Sequence, residues 1–233
     1  MRYPKGSLQL SQSRDLPLLR QILRSEFIIH SQLFEFMQLC HYERSRRAFD
    51  WRLRRLVDRG LVRRQTTANC TGEFVYSVSG SAAMLLQGMG EYCLVGRGRF
   101  NKKEAERSVL HAIGLNDIQL SALRAGLLVR WISSAEVRSQ NELTSFGFAK
   151  DYDAIVTVRT ETGEQRFALE YERSPKPMRH YRDIAAALVR EAHVSHVLYL
   201  ASNYDLLQFI SGFFRESQCR VSFGLVKDWH AQL

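Results

Sequence analysis

Two short runs bring three carboxylates within reach of one another. The first is Asp151-Tyr152-Asp153-Ala154-Ile155-Val156-Thr157-Val158, and the second is Phe167-Ala168-Leu169-Glu170-Tyr171-Glu172-Arg173. Residues 160–164 between them read as a tight turn, so the spacing predicts a β-hairpin over 152–159 and 165–172. With Thr162 and Gly163 as a two-residue loop, Asp153 falls opposite Glu172, and Ile155 opposite Glu170. Directly opposed Cβ atoms lie about 4.5–5.5 Å apart. Asp153, Glu170 and Glu172 then share one face, within reach of one cation. The other face carries Ala154, Val156, Val158, Phe167, Leu169 and Tyr171 and is core-like, and a slip by one residue would bury the acids.

Gathered carboxylates are costly without a cation or a basic partner. An all-oxygen set suits a hard ion such as Mg²⁺ or Mn²⁺. The chemistry implied is metal-assisted cleavage of a phosphodiester, or the remains of such a site. Asp153, Glu170 and Glu172 would hold the metal, and Lys176 or Arg173 would steady the phosphate. The bland alternative is an ion network in which Glu170 and Glu172 pair with Arg173, Arg179 or Arg182. Tyr181, on the helix expected after the hairpin, is either a packing residue with a satisfied hydroxyl or a neighbour of the acidic face.

The elements that must position these groups follow from periodicity. A helix over 103–125, broken near Gly114, precedes a strand at 127–132 and the hairpin. Pro175 and Pro177 punctuate a turn into a helix over 178–192. A strand at 196–201, a helix from the Asn203 cap to 217 and a strand at 220–223 follow. The order is α-β-β-β-α-β-α-β.

Upstream the pattern is different. Leu16, Leu19, Leu23 and Phe27 recur at helical spacing over 15–28, with Asp15 as a capping residue. Ser31 starts a second helix. A third begins near Ser45, carries Phe49, Leu53 and Leu56, and ends at Gly60. Strands at 61–64 and 74–77 around a Thr/Asn/Gly tip make a wing, and Ser79 caps a short helix. Three helices and a β-wing predict a winged helix-turn-helix whose third helix enters a DNA groove. Its polar face is Arg46, Arg47, Arg52, Arg54, Arg55 and Arg59, with Arg63 and Arg64 at the wing base. Arginine suits bidentate contact with phosphate and guanine edges. A solvated basic helix face is the bland alternative.

The 233 residues carry a formal net charge of +9, which favours an anionic partner such as double-stranded DNA. Cys40, Cys70, Cys93 and Cys219 form no C-x-x-C pair, so zinc and redox motifs are not indicated. Reduced thiols, no secretory leader and no membrane span are expected, which places the chain in the cytoplasm. The expected organisation is α+β: a winged-helix domain at 1–88, a glycine-rich linker at 89–101 and a mixed α/β domain at 102–233.

Several short motifs carry a resemblance. They are Leu53-Arg54-Arg55-Leu56 with Arg59-Gly60-Leu61-Val62-Arg63-Arg64, Tyr76-Ser77-Val78-Ser79-Gly80, His111-Ala112-Ile113-Gly114-Leu115-Asn116-Asp117, Leu169-Glu170-Tyr171-Glu172-Arg173-Ser174 and Arg179-His180-Tyr181. In this order the chain resembles the plasmid replication-relaxation family of bacterial winged-helix proteins over nearly its whole length. The resemblance implies a DNA-binding protein of plasmids or other mobile elements, acting in replication, mobilisation or transcriptional control. The C-terminal part also resembles PD-(D/E)xK nucleases, with Asp153 as first acid and Glu170 as second. The lysine expected two residues on is replaced by Glu172, which cannot supply positive charge to a transition state. Three functions compete: a dimeric DNA-binding protein on a degenerate nuclease-like platform, a metal-dependent endonuclease delivered by the winged helix, and a protein-interaction adaptor.

Overall fold

The structure, a computed structural model, describes residues 9–67, 70, 72–91, 93, 102–145, 147–214 and 220–231. Part of the expected wing tip, most of the 89–101 linker and the end of the helix expected to reach 217 lie outside the described residues. What is described is a mixed α+β chain of eight α-helices and two sheets.

The first unit runs α1 (Asp15–Ser25), β1 (Ile28–Ile29), α2 (His30–Leu39), α3 (Arg46–Asp58), β2 (Val62–Gln65), β3 (Val75–Val78) and α4 (Gly80–Gly88). Ser45 caps α3 by accepting the Ala48 amide, and Ser79 caps α4 by accepting that of Ala82. Gly60 closes α3 at φ 67°, with the Leu61 amide on the Leu56 carbonyl and the Gly60 amide on that of Val57. That 6→1 plus 5→2 pair is a Schellman ending, which favours glycine at the left-handed position. The small sheet has the order β1-β3-β2, all antiparallel. Ile28 and Ile29 add a third strand that periodicity does not signal, because two residues carry no period. Phe49, Leu53 and Leu56 of α3 join Leu19, Ile22, Leu33 and Phe36 in one core.

The second unit runs α5 (Lys102–Arg124), β4 (Leu128–Ser133), α6 (Ser134–Leu143), β5 (Ala154–Thr160), β6 (Gly163–Glu172), α7 (Met178–Leu188), β7 (His196–Ala201), α8 (Tyr204–Ser211), β8 (Arg220–Leu225) and a closing 3₁₀ turn (Val226–Ala231). The sheet order is β4-β5-β6-β7-β8, antiparallel through β6 and parallel from β6 to β8. Helix α6 was not expected. Its start is a capping box, with Ser133 Oγ accepting the Glu136 amide and Glu136 accepting the Ser133 amide. Helix α5 is continuous through Gly114 rather than broken there.

The hairpin register differs by two residues from the expected one. Thr160 pairs with Gly163, so Glu161 and Thr162 form the turn. The Thr160 hydroxyl donates to the Gly163 carbonyl at 2.8 Å and closes it. A shift of two keeps every side chain on its face, so the three acids still lie together. That face is not open, however. α7 and α8 cover it with Tyr181, Ile184, Leu188, Leu206 and Ile210. α5 and Trp229 cover the other face, where Trp229 donates to the Ile118 carbonyl at 3.0 Å. β6 is therefore an interior strand, exposed over its first four residues and buried on both sides from Phe167 to Glu172.

Helix α5 is shared. Leu120 and Leu123 join the first core, while Ile118 and Ala122 join the second. Gln32 donates to the Ile113 carbonyl at 2.9 Å and to Asp117 at 2.6 Å. Asn116 donates to the Phe27 carbonyl at 2.9 Å. At Gly114 a Cβ would lie 2.3 Å from the Tyr171 ring. Gly114→Ala is accordingly expected to lose about 1–3 kcal/mol to overpacking, against a gain of about 1 kcal/mol in helix propensity. A lowered urea midpoint would show it; an unchanged or raised midpoint would mean that Tyr171 is free to move aside.

Candidate functional site

The Asp153 carboxylate sits one residue before β5. Its Oδ1 meets His111 Nε2 of α5 at 2.9 Å, and its Oδ2 accepts the Tyr171 amide at 2.7 Å. The same register, continued, puts Asp153 across from Glu170. Tyr171 stacks on the His111 ring at 5.4 Å and fixes its plane. Glu170 and Glu172 are 3 % and 2 % exposed. Lys150 reaches Glu170, and Lys176 reaches Glu172. Tyr181 accepts the Lys176 amide at 3.0 Å and donates to Glu172 at 3.4 Å, so the tyrosine both packs and borders the acids.

The structure thus brings Asp153, Glu170, Glu172 and Lys176 together. The ion network also forms, but with Lys150 and Lys176 instead of Arg173, Arg179 or Arg182. His111 and Lys150 were missed as partners. His111 lies on a helix 42 residues from Asp153, where no spacing rule links them. Lys150 stands next to the Asp151-Tyr152-Asp153 run and offered the only local signal.

Electrostatics separate the three acids. Burial would raise the Asp153 pKa, but the His111 charge and the two hydrogen bonds bring it down to about 2. Burial pushes Glu170 up to about 7; Lys150 pulls it back and Asp153 adds to the rise. Burial would lower the His111 pKa, and Asp153 outweighs it and raises it on balance. As arranged, these acids are paired within the protein. Both Asp153 oxygens are in use, and each glutamate already carries an ammonium group, so Mg²⁺ or Mn²⁺ would have to displace two lysines.

A cleft of about 550 Å³ opens beside the acids, lined by α5, the end of α1, β4, the start of α6 and residues 171–177.

The eight candidate arginines divide. Arg47, Arg54 and Arg59 of α3 and Arg63 and Arg64 of β2 are exposed. Arg46 is exposed too, held against His30 at 2.7 Å and Asp50 at 3.3 Å. Arg52 and Arg55 point inward to Asp15, which is 0 % exposed. They anchor α3 to α1, with their guanidinium groups committed to that carboxylate. Asp15 is not the cap of α1, since its carboxylate is used by these arginines and by the Ser11 amide at 2.7 Å. Trp51, 59 % exposed between Arg47 and Arg54, belongs to the outward face and was overlooked. Comparison of the chain with protein-family models, curated proteins and solved structures finds no match in any of the three. No helix among the described residues is long and apolar enough to cross a membrane.

Proposed function

We propose that this chain is a double-stranded-DNA-binding protein of a plasmid or other mobile element, acting in replication, mobilisation or transcriptional control. In this reading the N-terminal helices and small sheet are a winged helix-turn-helix. The second unit is a PD-(D/E)xK nuclease-like platform that does not cut. The supporting observation is the outward row on α3: Arg47, Trp51 and Arg54, continued by Arg59 and by Arg63 and Arg64 on β2. None of these arginines forms an ion pair with an acid among the described residues. Such a row suits phosphate and base-edge contacts along one groove. A homodimer on a palindromic site is the arrangement we favour, since it doubles that surface.

The platform reading is supported by strand order and by the place of the acids at the start of β5 and the end of β6. That the core does not cut is supported by the lysine on each glutamate. The endonuclease reading draws on the same Lys176, an ammonium beside the acids where the motif lysine is missing. Incubation with supercoiled plasmid and Mg²⁺ or Mn²⁺ separates the two. Nicking abolished by Asp153→Ala would establish the endonuclease; duplex binding without nicking supports the platform.

Arg47→Ala with Arg54→Ala is expected to weaken duplex binding at least tenfold. Each lost phosphate contact should flatten the plot of log affinity against log salt by about 0.9. Fluorescence anisotropy across a salt series reads both. Unchanged affinity and slope would leave the adaptor. Charge reversal at Arg52 and Arg55 is not a test of DNA contact, because those residues act through Asp15.

A further inference from the structure

We infer that the cleft along α5 is a second nucleic-acid site, for a short stretch of single-stranded DNA. The site is separate from the duplex-facing surface of α3. It rests on three features of the cleft wall.

The first is shape. Residues 107–119 of α5 line the cleft in steps of three and four, which keeps them on one helix face. That stripe is roughly 18 Å long at 1.5 Å per residue. The volume of about 550 Å³ suits small or extended ligands.

The second is leftover charge. The acids lining the cleft are all engaged by the protein. Glu26 is held by Arg138 and Ser134, Asp151 by Asn141, Asp153 by His111 and Glu172 by Lys176. Arg107 is exposed and has no acid partner among the described residues. Arg173 touches the Tyr171 hydroxyl and no acid. Two cations therefore face the cleft with hydrogen-bonding capacity for phosphate.

The third is an aromatic wall. Trp131 of β4, half-buried, lines the same cleft. Arg107 and Leu115, also in the wall, are two helical turns apart, about 12 Å. Arg107 at one end of the stripe, Arg173 beside Tyr171 near its middle and an indole in the same wall match a strand whose backbone is held by arginine and whose base stacks on an aromatic ring.

The test is anisotropy of a labelled oligothymidylate and of a duplex, with the full chain. Native protein should bind both. Arg107→Glu, an exposed change that the fold tolerates, should weaken the oligothymidylate about tenfold and leave the duplex within twofold. Arg47→Ala with Arg54→Ala should do the reverse, so the two readings fail separately. Trp131 packs partly in the core, so its role is read without deleting it. In Trp51→Phe protein, which keeps two of the three tryptophans, oligothymidylate should quench the fluorescence and duplex should not. No binding of oligothymidylate, or equal loss on both ligands in Arg107→Glu, would overturn the site. Full displacement of the oligomer by excess dTMP would overturn the strand and assign a mononucleotide.

Discussion

Asp15→Ala is expected to cost about 3–5 kcal/mol of folding stability, read as a fall in the urea midpoint at pH 7. Asp15 is 0 % exposed and accepts from the Ser11 amide, Arg52 and Arg55. Removing one side of a buried charge network leaves the other uncompensated, and that is the costly case. Arg55 lies over the Trp51 ring and can turn towards water, which favours the lower half of the range. Asp15→Asn keeps two acceptor lone pairs and should cost less. Burial works to raise the Asp15 pKa, but the Ser11 amide and the two arginines bring it below the usual value of 3.8. Its stabilisation is therefore present above the unfolded pKa and lost as pH falls through the folded one. The gap between native protein and Asp15→Ala should close below pH 3.8. A gap that stays constant in acid would show that Asp15 acts by packing. Because the same carboxylate seats α3, duplex binding should weaken in the variant even at temperatures where it is folded.

The inward turn of Arg52 was legible in principle. At about 100° per residue, Arg52 lies roughly 70° from the centre of the Phe49-Leu53-Leu56 stripe, while Arg47 lies about 150° and Arg54 about 130° from it. Counting all six helix arginines as one polar face ignored that angle. What no period shows is the partner, 37 residues away on another helix. Caps were the most readable feature. Ser45, Ser79 and Asn203 are short polar side chains that each cap a helix by accepting an amide of its first turn. Strand His196–Ala201 was legible from its continuous apolar content. That same continuity held a further message: a strand apolar on both faces belongs to the middle of a layered sheet. Its pairing with β6, which places Glu170 and Glu172 in the interior, is not carried by that run, since its other parallel neighbour β8 is an exposed edge strand. Helix α6 was hidden because Ser134–Leu143 is mostly polar, although its capping box at Ser133 and Glu136 was in plain view.

Burial of Glu170 gives the second large effect, and it depends on pH. With its pKa at about 7 against an ordinary 4.5, Glu170 takes up a proton in the folded state over that interval. Stability then falls as pH rises from 4.5 towards 7, because the folded state binds more protons than the unfolded one. Above that range the native protein holds an ionised Glu170 against the Lys150 ammonium. Lys150→Met keeps most of the aliphatic stem and removes the ammonium, which lies over the Tyr152 ring. Glu170 should then stay protonated to higher pH, and each further unit above about 7 costs about 1.4 kcal/mol relative to the native protein. Near pH 6 the variant should lose only that ring contact, about 0.5–1 kcal/mol, and it should fall behind by roughly 3 kcal/mol more two units above the native pKa. Urea denaturation across a pH series measures this. A loss of the same size at every pH would mean that Lys150 contributes shape alone. Glu170→Gln should remove the Glu170 part of the slope, and adding Lys150→Met to it should then cost little, since the two substitutions act on one pair. That non-additivity assigns the effect to the pair itself, and it bears on function too. Glu170 does not itself line the cleft, but its charge near neutral pH acts on Asp153, which does.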